Sequence, residues 1–128
     1  MRHTLVDLFR DLDRRRGDFL VYDDGYRVRR HSYAAVTRAA RQFAARLASA
    51  GIVKGDHVVL WAENRPEWLV CYWGCIISGV VVVPIDYRAS AAFLEKVAAI
   101  VGARAVVPGD DVDVAALAAT PAAALWRM

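Results

Sequence analysis

The sequence predicts an α/β fold: a parallel sheet covered by helices on both faces, preceded by a short helix and a β-hairpin. Three observations point to it. From His57 onward, apolar runs of strand length alternate with runs of helix length, and strand–helix–strand order sets strands side by side in parallel. The run Val80 to Ile85 is apolar throughout, as a strand buried on both faces requires. A composition of 57% hydrophobic and 24% charged residues over 128 positions supplies one domain-sized core and excludes a disordered or fibrous chain.

Thr4 caps a first helix with Leu5, Leu8, Phe9 and Leu12 at helical spacing, and Arg14 to Gly17 closes it. Phe19 to Tyr22 and Tyr26 to Arg30 are β-rich runs joined through Asp23, Asp24 and Gly25. Asp-Gly at such a junction favours a tight hairpin because glycine accepts positive φ. Ser32 caps a long helix whose Tyr33, Val36, Ala40, Phe43, Leu47 and Ala50 form one stripe, and Gly51 suits the left-handed position just past its end. After the Lys54-Gly55-Asp56 turn, His57 to Ala62 reads as a strand, Pro66 to Ser78 as a helix and Val80 to Ile85 as a second strand. The valine-rich second strand is expected as a middle rung of the sheet. Ser90 caps a helix running through Val101, Gly102 ends it, and Ala103 to Val107 is a third strand. Asp110 to Ala119 predicts a last short helix, interrupted by Pro121, and Ala122 to Met128 reads as the start of a further element.

Eighteen uncharged residues in a row, Trp68 to Ile85, raise the question of a membrane span. Gly74, Ser78, Gly79 and Pro84 break the run, and four successive valines after Gly79 are strand-forming, so it reads as a buried helix followed by a buried strand rather than as a transmembrane segment. The N-terminus lacks the apolar stretch of a secretory signal, and the expected compartment is the cytoplasm. Fifteen Arg and two Lys against fourteen carboxylates give a net charge of +3. Arg14 to Arg16 and Arg27, Arg29 and Arg30 form two basic runs, but Asp11, Asp13, Asp18, Asp23 and Asp24 interleave with them. Such runs raise a nucleic-acid or phospholipid patch, but aspartates beside them weaken a phosphate-binding stripe, so the pattern predicts a charged outer face and no nucleic-acid partner. Cys71 and Cys75, four apart on a helix, are too far apart for a disulfide and lack histidines at metal-ligand spacing; they read as reduced, buried small side chains.

Ligands of open parallel sheets bind beyond the carboxyl ends of the strands. Here those ends carry Ala62-Glu63-Asn64, Pro84-Ile85-Asp86-Tyr87-Arg88 and Pro108-Gly109-Asp110. Glu63 and Asp86 end successive strands and could work as a carboxylate pair; Asn64 and Asp86 equally suit turn and capping roles. The eight glycines form neither G-x-G-x-x-G nor a Walker-type loop, and no G-x-S-x-G elbow is present. The sequence supplies no catalytic residue and no metal site.

The stretch from Phe19 to Val107 resembles the N-terminal region of adenylate-forming acyl-CoA synthetases, in the manner of long-chain fatty acid–CoA ligases. The resemblance rests on the helix ending at Gly51, Lys54-Gly55-Asp56, Glu63-Asn64-Arg65-Pro66-Glu67-Trp68, the Gly79 to Pro84 strand and Gly102-Ala103-Arg104, all in one register. It implies an AMP-forming ligase: a carboxylic acid attacks ATP to give an acyl adenylate and pyrophosphate, and coenzyme A then displaces AMP. ATP, Mg²⁺ and coenzyme A are implied for a complete enzyme and none for this stretch, whose partner would be the remainder of its own polypeptide. The resemblance divides the chain into a helix and hairpin (1–31), a helix and βαβαβ core (32–109) and a tail (110–128). It implies that the isolated chain is inactive and that Asn64, Asp86, Tyr87 and Arg88 lie on the rim facing the acyl or coenzyme site. A separate reading is a homodimer through exposed apolar surface, because large bare patches associate. The alternative from another class is a stand-alone, non-catalytic nucleotide-binding or interaction module.

Overall fold

Capping chemistry fixes where the helices begin. In the computed structural model, which describes residues 3–116 and 124–125, α1 spans Leu5–Arg14 behind a Thr4 capping box closed by Asp7. The hairpin strands are β1 (Asp18–Asp23) and β2 (Val28–Ser32), antiparallel. At their junction Gly25 takes φ +87°, and the Asp24 carboxylate accepts the N–H groups of Tyr26 and Arg27 at 2.9 and 2.7 Å. Ser32 then accepts the Ala35 N–H and starts α2 (Tyr33–Ser49), with Gly51 left-handed beyond it. Next come β3 (His57–Trp61), α3 (Pro66–Ser78), β4 (Val81–Ile85), α4 (Ala91–Val101) and β5 (Ala105–Pro108). Pro66 at the first turn and left-handed Gly79 at the end fix both limits of α3. Of the predicted helix 110–119, the described residues hold a single 3-10 turn at Val114–Ala116; residues 117–123 lie outside the described residues. A two-residue strand, β6 (Ala124–Leu125), pairs with β5.

The sheet is parallel, in the order β4-β3-β5-β6. Alternation along β3 splits its side chains between two helical layers. Val58 and Leu60 enter a core with Phe43, Leu47, Cys71 and Cys75 of α2 and α3, while Val59 and Trp61 pack with Leu94 and Ala98 of α4. All four are almost fully buried, each contributing about 1.5–3 kcal/mol of transfer free energy. A third cluster joins Phe9 of α1 to Ala40 of α2 and Trp73 of α3. The two helices cross closely at Gly74, where an added Cβ would sit 2.6 Å from Phe43 Cδ1 and 3.0 Å from the Ala40 carbonyl oxygen. No helix among the described residues is long and apolar enough to cross a membrane.

One expectation is corrected. The valine-rich strand β4 is not a middle rung but the edge of the described sheet, and β3 is central. Val81 is 43% exposed and Pro84 is exposed, where the β3 valines are buried. The physical reason lies in Pro84. The Val81 N–H donates to Asp56 across the β3 side at 2.8 Å, so alternation turns position 84 toward the open side, where a proline's missing donor costs nothing. A fully apolar run is compatible with an edge; a proline in mid-strand favours one.

The Arg41 guanidinium of α2 grips the Asp13 carboxylate of α1 with two hydrogen bonds, 2.7 and 2.6 Å, and chiefly for that reason holds its pKa down at about 2. A depressed carboxylate adds stability above its unfolded value, here 3.8, and loses it as pH falls toward 2. Both groups are a third or more exposed, so the contribution is about 0–1 kcal/mol. Asp13→Asn is expected to lower Tm slightly at pH 7 and to leave it unchanged at pH 2, measured by thermal melts across that range.

Candidate functional site

The carboxyl ends of β3 and β4 open into a cleft of about 540 Å³, lined by Ala62, Glu63, Asn64, Trp68, Pro84, Ile85, Asp86, Tyr87 and Arg88. Parallel pairing makes this unavoidable: Trp61 and Ile85 are register partners, so residues 62–64 and 86–88 leave the sheet side by side. All four residues singled out from the sequence, Asn64, Asp86, Tyr87 and Arg88, line this one hollow.

Asp86 is an anchor rather than a base. Its carboxylate accepts the Arg88 backbone N–H at 2.8 Å and the Arg88 Nε and Nη2 groups at 2.9 Å each. Those bonds, the side-chain one first, hold its pKa down at about 2 and push that of Arg88 up. A carboxylate so far below neutrality is a poor proton acceptor, and its turn-closing bond is the capping role the sequence allowed. Arg88 lies 5.8 Å from the Tyr87 ring centroid. Held from one side by Asp86, the guanidinium keeps donors free for an incoming carboxylate or phosphate.

Glu63 lines the same cleft as Asp86 and is engaged by a different arginine. Arg65 takes it at 3.4 Å and reaches Asp111 beyond β5 with its Nη2 at 2.8 Å, tying the ends of β3 and β5 together. Arg65, not Asn64, is the residue before α3, and it caps with no side-chain bond; the proline after it fixes the extended backbone there. Close approach of the same two loops needs Gly109, whose Cβ would lie 2.7 Å from that of Ala62. The cleft's apolar wall, Trp68, stacked on Tyr72 at 5.4 Å, was not singled out from the sequence. Its position one turn into a helix that starts at a strand end was the available signal.

Two other features lie apart from this cleft. Cys71 and Cys75 are buried and free, and burial pushes both thiols up to about 12, so neither is a thiolate near neutrality. A hollow of about 530 Å³ beside α2 and α3 has an apolar wall with Phe43 and Val70 and carries His31, Gln42, Arg46 and Glu67 as its polar members.

An open parallel sheet with helices on both faces defines a doubly wound α/β scaffold, and its cleft lies at the strand ends, where ligands of such sheets bind. The model of the AMP-binding enzyme family matches residues 9–125, and the chain belongs to that family. A crotonobetaine/carnitine–CoA ligase of Salmonella arizonae is 41% identical over 61 residues, which is 48% of this chain and 12% of the relative. Among solved structures, fatty acyl-adenylate ligases from E. coli and L. pneumophila superpose with a TM-score of 0.83 at 25% identity, over 97% of this chain and 24% of theirs. The inhibitor-bound N-terminal domain of FACL13 from Mycobacterium tuberculosis superposes at 0.84 with 22% identity, over 99% of this chain and 34% of that one, which shows the shared fold. The matched stretch is thus about an eighth of the curated ligase's length.

Proposed function

We propose that this chain is the N-terminal scaffold of a cytoplasmic, AMP-forming acid–CoA ligase, which activates a fatty or other carboxylic acid with ATP and passes the acyl group to coenzyme A. The observation that carries the reading is the family match over nearly the whole chain, joined to relatives named as CoA ligases of which the matched stretch covers 12%. Catalysis belongs to the remainder of that polypeptide. Among the described residues no three His, Cys, Asp or Glu side chains converge as metal ligands, and the glycines form no phosphate loop. No step is routed through Mg²⁺ or the ATP phosphates. Exposed Phe93 and Ile100 of α4 are assigned to contact with the rest of the polypeptide.

In this reading Asn64, Asp86, Tyr87 and Arg88 form the rim facing the acyl or coenzyme site. Arg88 offers its remaining donors to an anionic group, Asp86 orients Arg88, and Trp68 supplies an apolar wall. In the complete polypeptide encoded by the gene, Arg88→Ala is expected to raise KM for the acid or for coenzyme A by about tenfold, the loss of one charge-assisted contact. The KM for ATP and the melting temperature should stay unchanged. Unaltered KM values for both acid and coenzyme A would remove the rim assignment.

A further inference from the structure

The hollow of about 530 Å³ beside α2 and α3 shares no lining residue with the cleft at the strand ends. It has the makeup of a small-molecule site, a mostly apolar wall with a few polar groups, and falls within the usual range of about 300–1,000 Å³. Helical periodicity explains the wall. Ala35, Ala39, Gln42 and Arg46 recur at one-turn intervals on one face of α2, a line about 16 Å long by the helical rise. Two of the four are alanines, so the surface of α2 is low there and leaves room beside Val70 and Cys71 of α3.

The polar members of the wall are of both signs. Arg46 of α2 and Glu67 of α3 are exposed, and both lie close enough to Cys71 for their charges to act on its thiol, in opposite senses. A cation and an anion therefore face one hollow from two helices. Gln42, one turn before Arg46, adds an amide to the cationic side. His31, just ahead of α2, also lines the hollow, and its Nε2 is buried with no hydrogen-bond partner among the described residues; buried polar atoms are ordinarily paired. A purely apolar ligand would take water from these groups and replace it with nothing. A simple anion would meet Glu67, and a simple cation would meet Arg46. A molecule that carries both charges beside an apolar group satisfies the whole wall.

We propose that this hollow binds a free α-amino acid with an aromatic or branched apolar side chain. The ligand's carboxylate pairs with Arg46 and Gln42, its ammonium with Glu67, and its side chain lies against Phe43 and Val70. An arginine and a carboxylate match as a two-bond fork, which fixes the orientation of the bound molecule. The inference is independent of the ligase reading, because the hollow and the strand-end cleft have no residue in common.

Titration of the 128-residue chain with L-phenylalanine, followed by backbone amide chemical shifts, tests it. Shifts are expected at residues 35–46 and 66–71 and not at 84–88. Phenylpropanoate, which lacks the ammonium, and phenethylamine, which lacks the carboxylate, should each bind about tenfold more weakly, the loss of one charge-assisted contact. The Arg46→Gln and Glu67→Gln variants should weaken phenylalanine by a similar factor, and Glu67→Gln should leave phenylpropanoate binding undiminished. Both positions are exposed, and circular dichroism checks that the variants fold; the two analogues test the same contacts on the unaltered chain. No shifts with phenylalanine, leucine or isoleucine, equal binding of either analogue, or shifts confined to the strand-end cleft would overturn the proposal.

Discussion

Leu60→Ala is expected to lower stability by about 2–5 kcal/mol, a drop in Tm on the order of 10 °C for a chain of this size. Leu60 is fully buried in β3, inside the core formed with α2 and α3. Its strand has a partner on each side, which limits how far the surroundings can collapse into the void. The comparison that gives the experiment its force is Val81→Ala. Val81 sits on edge strand β4 and is 43% exposed, so the same kind of truncation should cost less than about 1 kcal/mol. Chemical denaturation of both variants measures the contrast; equal losses would mean that β3 is not the central strand.

Gly74→Ala is expected to destabilise by about 1–3 kcal/mol, and Gly74→Val by more. Helix propensity alone predicts the opposite sign, since alanine is favoured over glycine in a helix interior by about 1 kcal/mol. The decisive quantity is the space between α3 and α2. A Cβ at position 74 would meet the Phe43 ring at 2.6 Å and the Ala40 carbonyl oxygen at 3.0 Å. The ring is almost fully buried and the carbonyl belongs to helix backbone, so neither yields without separating the helices. A stabilised Gly74→Ala variant in the same denaturation series would contradict the close crossing.

Most elements were legible because local chemistry specifies them. Ser32 and Gly51 bracket α2, Pro66 and Gly79 bracket α3, and Ser90 and Gly102 bracket α4, each by capping or by a positive φ that acts within a few residues. Strand order was not legible in that way. It depends on which strands pair, and the apolar content of Val80 to Ile85 does not distinguish an edge from a centre; Pro84 is the residue in that run that favours an edge. The cleft was legible in part. Asn64, Asp86, Tyr87 and Arg88 stood out because they follow strands in a parallel sheet, and the structure brings them together around one hollow. Two details required coordinates: the Asp86–Arg88 clasp, whose geometry decides that Asp86 is an anchor, and the Arg65 bond to Asp111, which spans 46 positions. The same holds for the hairpin, where only the loop geometry shows that Asp23 and Asp24 are spent on backbone N–H groups.

The most direct test of the proposed role is acid-dependent ATP–pyrophosphate exchange, run side by side on the 128-residue chain and on the complete polypeptide encoded by its gene, with a panel of carboxylic acids from short polar to long aliphatic. Exchange is expected from the complete polypeptide and not from the 128-residue chain. Exchange catalysed by the 128-residue chain itself, or its absence from the complete polypeptide with every acid, would contradict the assignment of this chain as the scaffold of an acid–CoA ligase.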